Sequence, residues 1–159
     1  MISHRHLFLY YTIVIPPMYP FGHFAVAYFI VYFLGRYVRE DYSLPVVLVA
    51  SVLPDLDVLF SRFIVHRGPT HSVVTMSVLF VVFYVVFRRG VLYYVALLSH
   101  SLIGDYFTAY GIQLFWPMSY RWYRAPSSLL LTGRELIVVE FGLFVLMIIH
   151  IFVVRRKNM

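Results

Sequence analysis

Residues His66-Arg67-Gly68-Pro69-Thr70-His71-Ser72 set two imidazoles, a guanidinium and two hydroxyls between two apolar runs. Just upstream, the run Val46 to Val52 ends in Leu53-Pro54-Asp55-Leu56-Asp57, which adds two carboxylates. Imidazoles and carboxylates are the ligands of divalent metals. They are also the only strong ligand set open to this chain, which has no cysteine and so no thiolate ligand and no disulfide framework. Further along, His100 is followed by Asp105, and His23 opens the first long apolar run. His23, Asp55, His71, His100 and Asp105 together supply three imidazoles and two carboxylates. That is enough for one zinc with an open position, or for a carboxylate-bridged pair of ions. Zinc is favoured, with manganese or magnesium as alternatives. Such a site lowers the pKa of bound water to about 7 and polarises a phosphoryl or acyl oxygen. Arg67, with Arg121 and Arg124, would hold an anionic group, because a guanidinium matches a phosphate in a bidentate way.

These groups need elements to position them, and the composition says what kind. Of 159 residues, 62% are hydrophobic and 13% charged, with a mean hydropathy of +0.82, which is too apolar for an ordinary soluble domain. The reading is a single all-α multi-pass membrane domain over residues 18–159, behind a peripheral extension of residues 1–17. The net charge of +6 is carried by few positions, so the basic groups mark loop ends or an anionic ligand, and no nucleic-acid partner is expected. Five apolar runs predict about five transmembrane helices: Phe21 to Gly35, Leu44 to Phe60, Ser72 to Phe87, Val91 to Tyr110 and Leu136 to Val154. Several are shorter than the ~20 residues that span hydrocarbon, which is tolerable where their polar ends border a hydrated cavity. Solidly apolar runs, without two-residue alternation, exclude a membrane β-barrel.

Alternating the five helices across a bilayer brings His23, Asp55, Asp57, His66, His71 and Asp105 to one side, with His100 slightly deeper. Ionisable groups within a membrane are costly, so their convergence is better explained by a shared site than by chance. Each also has a plainer reading. His23 serves as an interfacial residue, Asp55 as a turn residue after Pro54, Thr70 as the N-cap of the third helix, and His150, at the far end of the fifth, as a structural residue. The long connection Gly111 to Arg134 carries Trp116, Trp122 and Tyr123 with Arg121 and Arg124, and is expected to roof the site at the headgroup level. Seven basic residues fall on the side opposite the site and six on its own side. With Arg67 and the roof arginines set aside for substrate, the bias predicts a cytoplasmic C-terminus and an extracytoplasmic site at the cell membrane.

From Met18 to Pro117 the chain resembles the LexA-regulated, membrane-bound metal-dependent hydrolases. The likeness rests on Gly22-His23, Leu53-Pro54-Asp55-Leu56-Asp57, His66-Arg67-Gly68-Pro69-Thr70-His71-Ser72, Ser99-His100 with Asp105 and Thr108, Gly111, and Trp116-Pro117. The ligand order is also similar to that of zinc-dependent phospholipase C and the single-strand-specific zinc nucleases, and this likeness implies phosphodiester hydrolysis. Two departures stand out. No histidine lies between Asp105 and His150, which argues for one or two metals and against three. His100 and Asp105 are five residues apart, roughly 140° around an α-helix, so a π-bulge near Gly104 is needed to bring them together.

The leading expectation is a metal-dependent hydrolase of a phosphoester, lipid-linked or otherwise membrane-borne, with Asp57 or His66 as general base and Arg67, Thr70, Arg121 and Arg124 at the substrate. Two alternatives remain open. One is a metal-free lipid phosphatase with His71 as nucleophile and His100 as acid. The other is a small proton or metal-ion transporter, which would need polar residues through the bundle, whereas Val73 to Val86 and Phe141 to Ile149 have almost none.

Overall fold

The computed structural model describes residues 18–87, 90–130 and 133–157; the N-terminal extension of residues 1–17 lies outside them. Among the described residues five α-helices follow in order: α1 (Pro20–Val38), α2 (Leu44–Ala50), α3 (Val73–Phe87), α4 (Val91–Ser99) and α5 (Gly133–Lys157). Among the described residues there is no strand, only an isolated antiparallel bridge between Ile112 and Tyr123. The chain is all-helical, as its solid apolar runs require.

Of the five transmembrane helices expected, two have the length and composition to cross a bilayer, within Pro20–Val38 and Gly133–Arg156. At 1.5 Å per residue α1 is about 28 Å long, close to the hydrocarbon thickness. The other three are shorter than the apolar runs that predicted them, for local reasons. Pro54 has no N–H to give to the Ala50 carbonyl, so α2 stops at Ala50 and the chain continues as the 3-10 helix Leu53–Phe60. The fourth run changes winding at His100, where α4 gives way to a π-helix, His100–Gly104, and then a 3-10 turn, Asp105–Phe107.

The long helix α1 organises the bundle through a face of small residues. Ala27 and Val31 meet Val47 of α2 and Leu92 and Ala96 of α4 in one apolar cluster. Ala25 and Tyr28 meet Met147 of α5 in another, where the Tyr28 hydroxyl is 2.8 Å from His150 Nδ1. Pro20 starts α1 where a missing N–H is harmless, and Arg39 closes it in the left-handed region with its N–H on the Gly35 carbonyl. Most of α5 is exposed, with Val138, Phe141 and Phe152 on its surface, as expected of a helix whose solvent is lipid.

Candidate metal centre

Asp57 is the post around which the motif loop is wound. Its carboxylate is 2.7 Å from His66 Nδ1 through one oxygen, while the other accepts the Thr70 hydroxyl at 2.6 Å and the Arg67 backbone N–H at 3.2 Å. Burial alone would raise this carboxyl, but the bonds from His66, His71 and Thr70 override it and hold the group below the usual carboxylate range. Thr70, expected to cap the third helix, therefore binds Asp57 and also lies 3.0 Å from His71 Nδ1. The helix cap falls to Ser72, whose hydroxyl accepts the Val74 N–H at 3.1 Å.

With Nδ1 of His71 facing Thr70 and Asp57, its Nε2 points into a pocket shared by three other groups. His100 Nε2 lies 3.1 Å away, Asp105 Oδ2 3.0 Å and Asp55 Oδ1 3.4 Å. His100 Nε2 is in turn 3.4 Å from both Asp55 Oδ1 and Asp105 Oδ2. A tetrahedral cation with ligands at 2.0–2.2 Å has ligand-to-ligand edges of roughly 3.3–3.6 Å; three of these separations, at 3.4 Å, fall in that range and the other two, 3.0 and 3.1 Å, lie just short of it. His100 Nδ1 donates to the Ser51 carbonyl at 2.7 Å, which fixes the tautomer and leaves Nε2 with a lone pair toward His71. Asp105 Oδ2 is buried without a hydrogen-bond donor: His71 is close to it in distance but not aligned as a donor. Burial would lower the His71 imidazole, but the Asp105, Asp55 and Asp57 carboxylates beside it raise it to about 10. Asp55, His71, His100 and Asp105 thus fit a divalent cation, and each imidazole has the outer partner that ligand histidines require.

Local winding brings the last two ligands together. In the π-helix the Asp105 N–H reaches the His100 carbonyl, so residues five apart become neighbours along the axis, which meets the requirement that their spacing raised. Gly104 makes the segment possible: a Cβ there would run into the His23 ring. His23, expected as a fifth ligand, is buried beside the site. Its ring stacks on His100 at 3.9 Å, and neither of its nitrogens has a hydrogen-bond partner. It stands next to the four-residue group rather than in it.

Arg67 takes a different place from the one its motif implied. The guanidinium is buried, 2.7 Å from Asp105 Oδ1, 2.5 Å from the Thr108 hydroxyl and over the Tyr110 ring at 5.1 Å. Its backbone is left-handed, with φ 63°. A non-glycine residue held there costs on the order of 1–2 kcal/mol, which the paired guanidinium offsets. Where the sequence suggests a phosphate anchor, the structure shows the guanidinium paired with Asp105, a candidate ligand. Arg121 and Arg124 stay exposed on the connection, Arg124 bonding the Ala109 carbonyl at 2.9 Å. That connection is tied to the motif loop by Gln113 N–H to the Arg67 carbonyl at 3.0 Å, Val73 N–H to the Leu114 carbonyl at 3.0 Å and the Ser72 hydroxyl to the Trp116 carbonyl at 2.6 Å. One further contribution had no sequence signal, the Ser51 carbonyl, while Glu140 of α5, an ionisable group set in an apolar run, is buried and accepts the Tyr19 N–H at 2.9 Å.

Comparison with curated proteins and with solved structures gives no match. The family model described as YdjM inner membrane protein matches residues 18–158, a span that takes in both long apolar helices and every residue of the buried His and Asp group. By that match the chain belongs to the YdjM inner membrane protein family, the LexA-regulated family its motifs resemble.

Proposed function

We propose that the chain is a metal-dependent hydrolase embedded in the membrane and acting on a phosphoester, lipid-linked in the form its surroundings favour. The observation that carries this reading is a set of four ligand atoms in which each imidazole Nε2 lies 3.0–3.4 Å from the other and from both carboxylates, the other ring nitrogens of the two imidazoles being already committed. When bound, a divalent ion there supplies a Lewis acid for a phosphoryl oxygen and activates water at neutral pH. His66 provides the base. Its Nδ1–H on Asp57 leaves Nε2 free to take a proton, and its side chain is 23% exposed, whereas Asp57 is fully buried. Arg67 and Thr108 hold Asp105 in place. Arg121 and Arg124, on the exposed connection, are the groups left to meet a phosphate.

His71 is fully buried with both ring nitrogens facing other groups, which speaks against the metal-free phosphatase in which it would attack. In this reading the three shorter helices are also embedded, giving a five-segment bundle with the site facing outward and the basic C-terminus in the cytoplasm. Zinc suits the two-imidazole, two-carboxylate set, and manganese or magnesium are the alternatives.

His66→Ala is expected to lower kcat on a phosphodiester by about 10²–10⁴-fold while bound metal stays at the wild-type level. The check is hydrolysis of a chromogenic phosphodiester by metal-loaded wild type and variant in detergent, with metal content measured on the same samples. Equal rates in both would remove His66 from the chemistry. No hydrolysis by the metal-loaded wild type of either a soluble or a lipid phosphoester would remove the proposed function.

A further inference from the structure

An apolar cavity of about 100 Å³ lies between α2, α3 and α4, with no polar surface in its lining. Two tyrosines stand in its wall, yet both hydroxyls are used elsewhere: Tyr93 OH accepts the Ser43 N–H at 3.0 Å, and Tyr94 OH lies 2.7 Å from Ser77 Oγ. What they show the cavity is ring carbon. The ring of Phe80, stacked on Tyr94 at 4.6 Å, extends the same surface. Parts of the cavity wall lie close along the chain to the metal group. Its lining residues Ala50 and Leu53 flank Ser51, whose carbonyl orients His100; Leu53 is two residues from Asp55, and Leu97 is three from His100. α4, which gives Tyr93, Tyr94 and Leu97 to the lining, runs nine residues, about 14 Å along its axis, before the winding changes at His100.

We infer that this cavity holds the hydrocarbon chain of the substrate, so that the substrate is a single amphiphile with an acidic phosphoester head at the metal site and its tail between α2, α3 and α4. The inference rests on the proposed hydrolase reading and narrows its substrate class. Three observations choose this occupant. The cavity offers a ligand no hydrogen bond, so a polar ligand would be left unsatisfied there. A volume near 100 Å³ takes part of a flexible chain and is too small for a bulky ring system. Its lining residues Leu53 and Leu97 stand two and three positions from Asp55 and His100, so one molecule of ordinary chain length can reach from the cavity to the site, with Arg121 and Arg124 exposed on the connection.

The test uses the full chain in detergent, loaded with zinc. An alkyl phosphate with a photoreactive diazirine midway along its chain is irradiated on the protein, and adducts are mapped by mass spectrometry. Adducts are expected on cavity residues such as Val49, Leu53 and Tyr93, lost with excess unlabelled alkyl phosphate and kept with excess alkyl alcohol of the same length. Adducts spread over the exposed faces of α5, or competed equally by the alcohol, would overturn the inference. Turnover gives the second readout. Val49→Trp narrows the cavity from an exposed wall position that tolerates substitution, and should raise KM for a long-chain phosphodiester about tenfold while a short, soluble one with the same leaving group changes less than about twofold. An equal effect on both substrates, or none on either, would contradict the inference. Competed cavity adducts without hydrolysis of any phosphoester would uphold the tail site and sink the hydrolase reading, so the two failures are distinguishable.

Discussion

His71→Ala protein is expected to bind zinc more than about 100-fold more weakly than wild type, a loss beyond the 10–100-fold typical of removing an outer-sphere partner. His71 is the centre of the group: its Nε2 lies 3.0–3.4 Å from a donor atom of each of the other three residues. Removing it leaves one imidazole and two carboxylates that no longer face a common partner. His150→Ala, on α5 and bonded to Tyr28, is expected to keep the wild-type metal content. Elemental analysis of the three proteins purified in parallel without chelator, followed by competition with a chromophoric zinc chelator, measures the difference. Equal content in His71→Ala and wild type would place the metal elsewhere or remove it from the account.

The second large effect is on stability. Arg67→Ala leaves the buried Asp105 carboxylate without its 2.7 Å partner and the Thr108 hydroxyl without its donor. Breaking a buried pair by removing one member costs about 3–5 kcal/mol, because the remaining charge stays buried and uncompensated. A divalent ion on Asp105 would supply part of the lost positive charge, so the destabilisation should be largest in metal-free protein and smaller after zinc is added. Arg67→Lys should rescue little, since an ammonium cannot reach Asp105 and Thr108 with two separate donors as the fork does. Thermal unfolding of the variants with and without zinc tests this. An Arg67→Ala protein as stable as wild type in both states would mean that the Asp105 charge is compensated by another route.

How far the sequence reveals this arrangement depends on the kind of contact. The four converging residues are legible because their chemistry is rare in so apolar a chain, and His and Asp at apolar boundaries have few other reasons to be there. The five-residue spacing of His100 and Asp105 is also legible: it conflicts with an α-helix, and the conflict points to the π-helix that the chain adopts. The pairing of Arg67 with Asp105 is not legible in sequence, because a guanidinium beside a candidate metal site suits a substrate phosphate and a buried carboxylate equally. The left-handed turn at Arg67 and its 2.7 Å contact with Asp105 are features that only the folded chain displays. The role of Ser51 is invisible because it is played by a backbone carbonyl, which every residue has. The lengths of α2 and α4 are overestimated for a similar reason. Hydropathy stays high through Leu53, Leu56 and Phe60, but Pro54 and the inward-turned Asp57 convert that stretch into a 3-10 segment while leaving its apolar composition unchanged.

The most direct measurement of the central claim is X-ray absorption spectroscopy at the zinc edge on the zinc-loaded full chain. Multiple scattering from rigid imidazole rings counts histidine ligands, and the shell distance reads the ligand type. The account predicts two imidazoles and a nitrogen and oxygen shell at about 2.0–2.2 Å, falling to one imidazole in any metal that His100→Ala retains. A zinc ion with no imidazole ligand, or a count unchanged by the loss of His100, would contradict it.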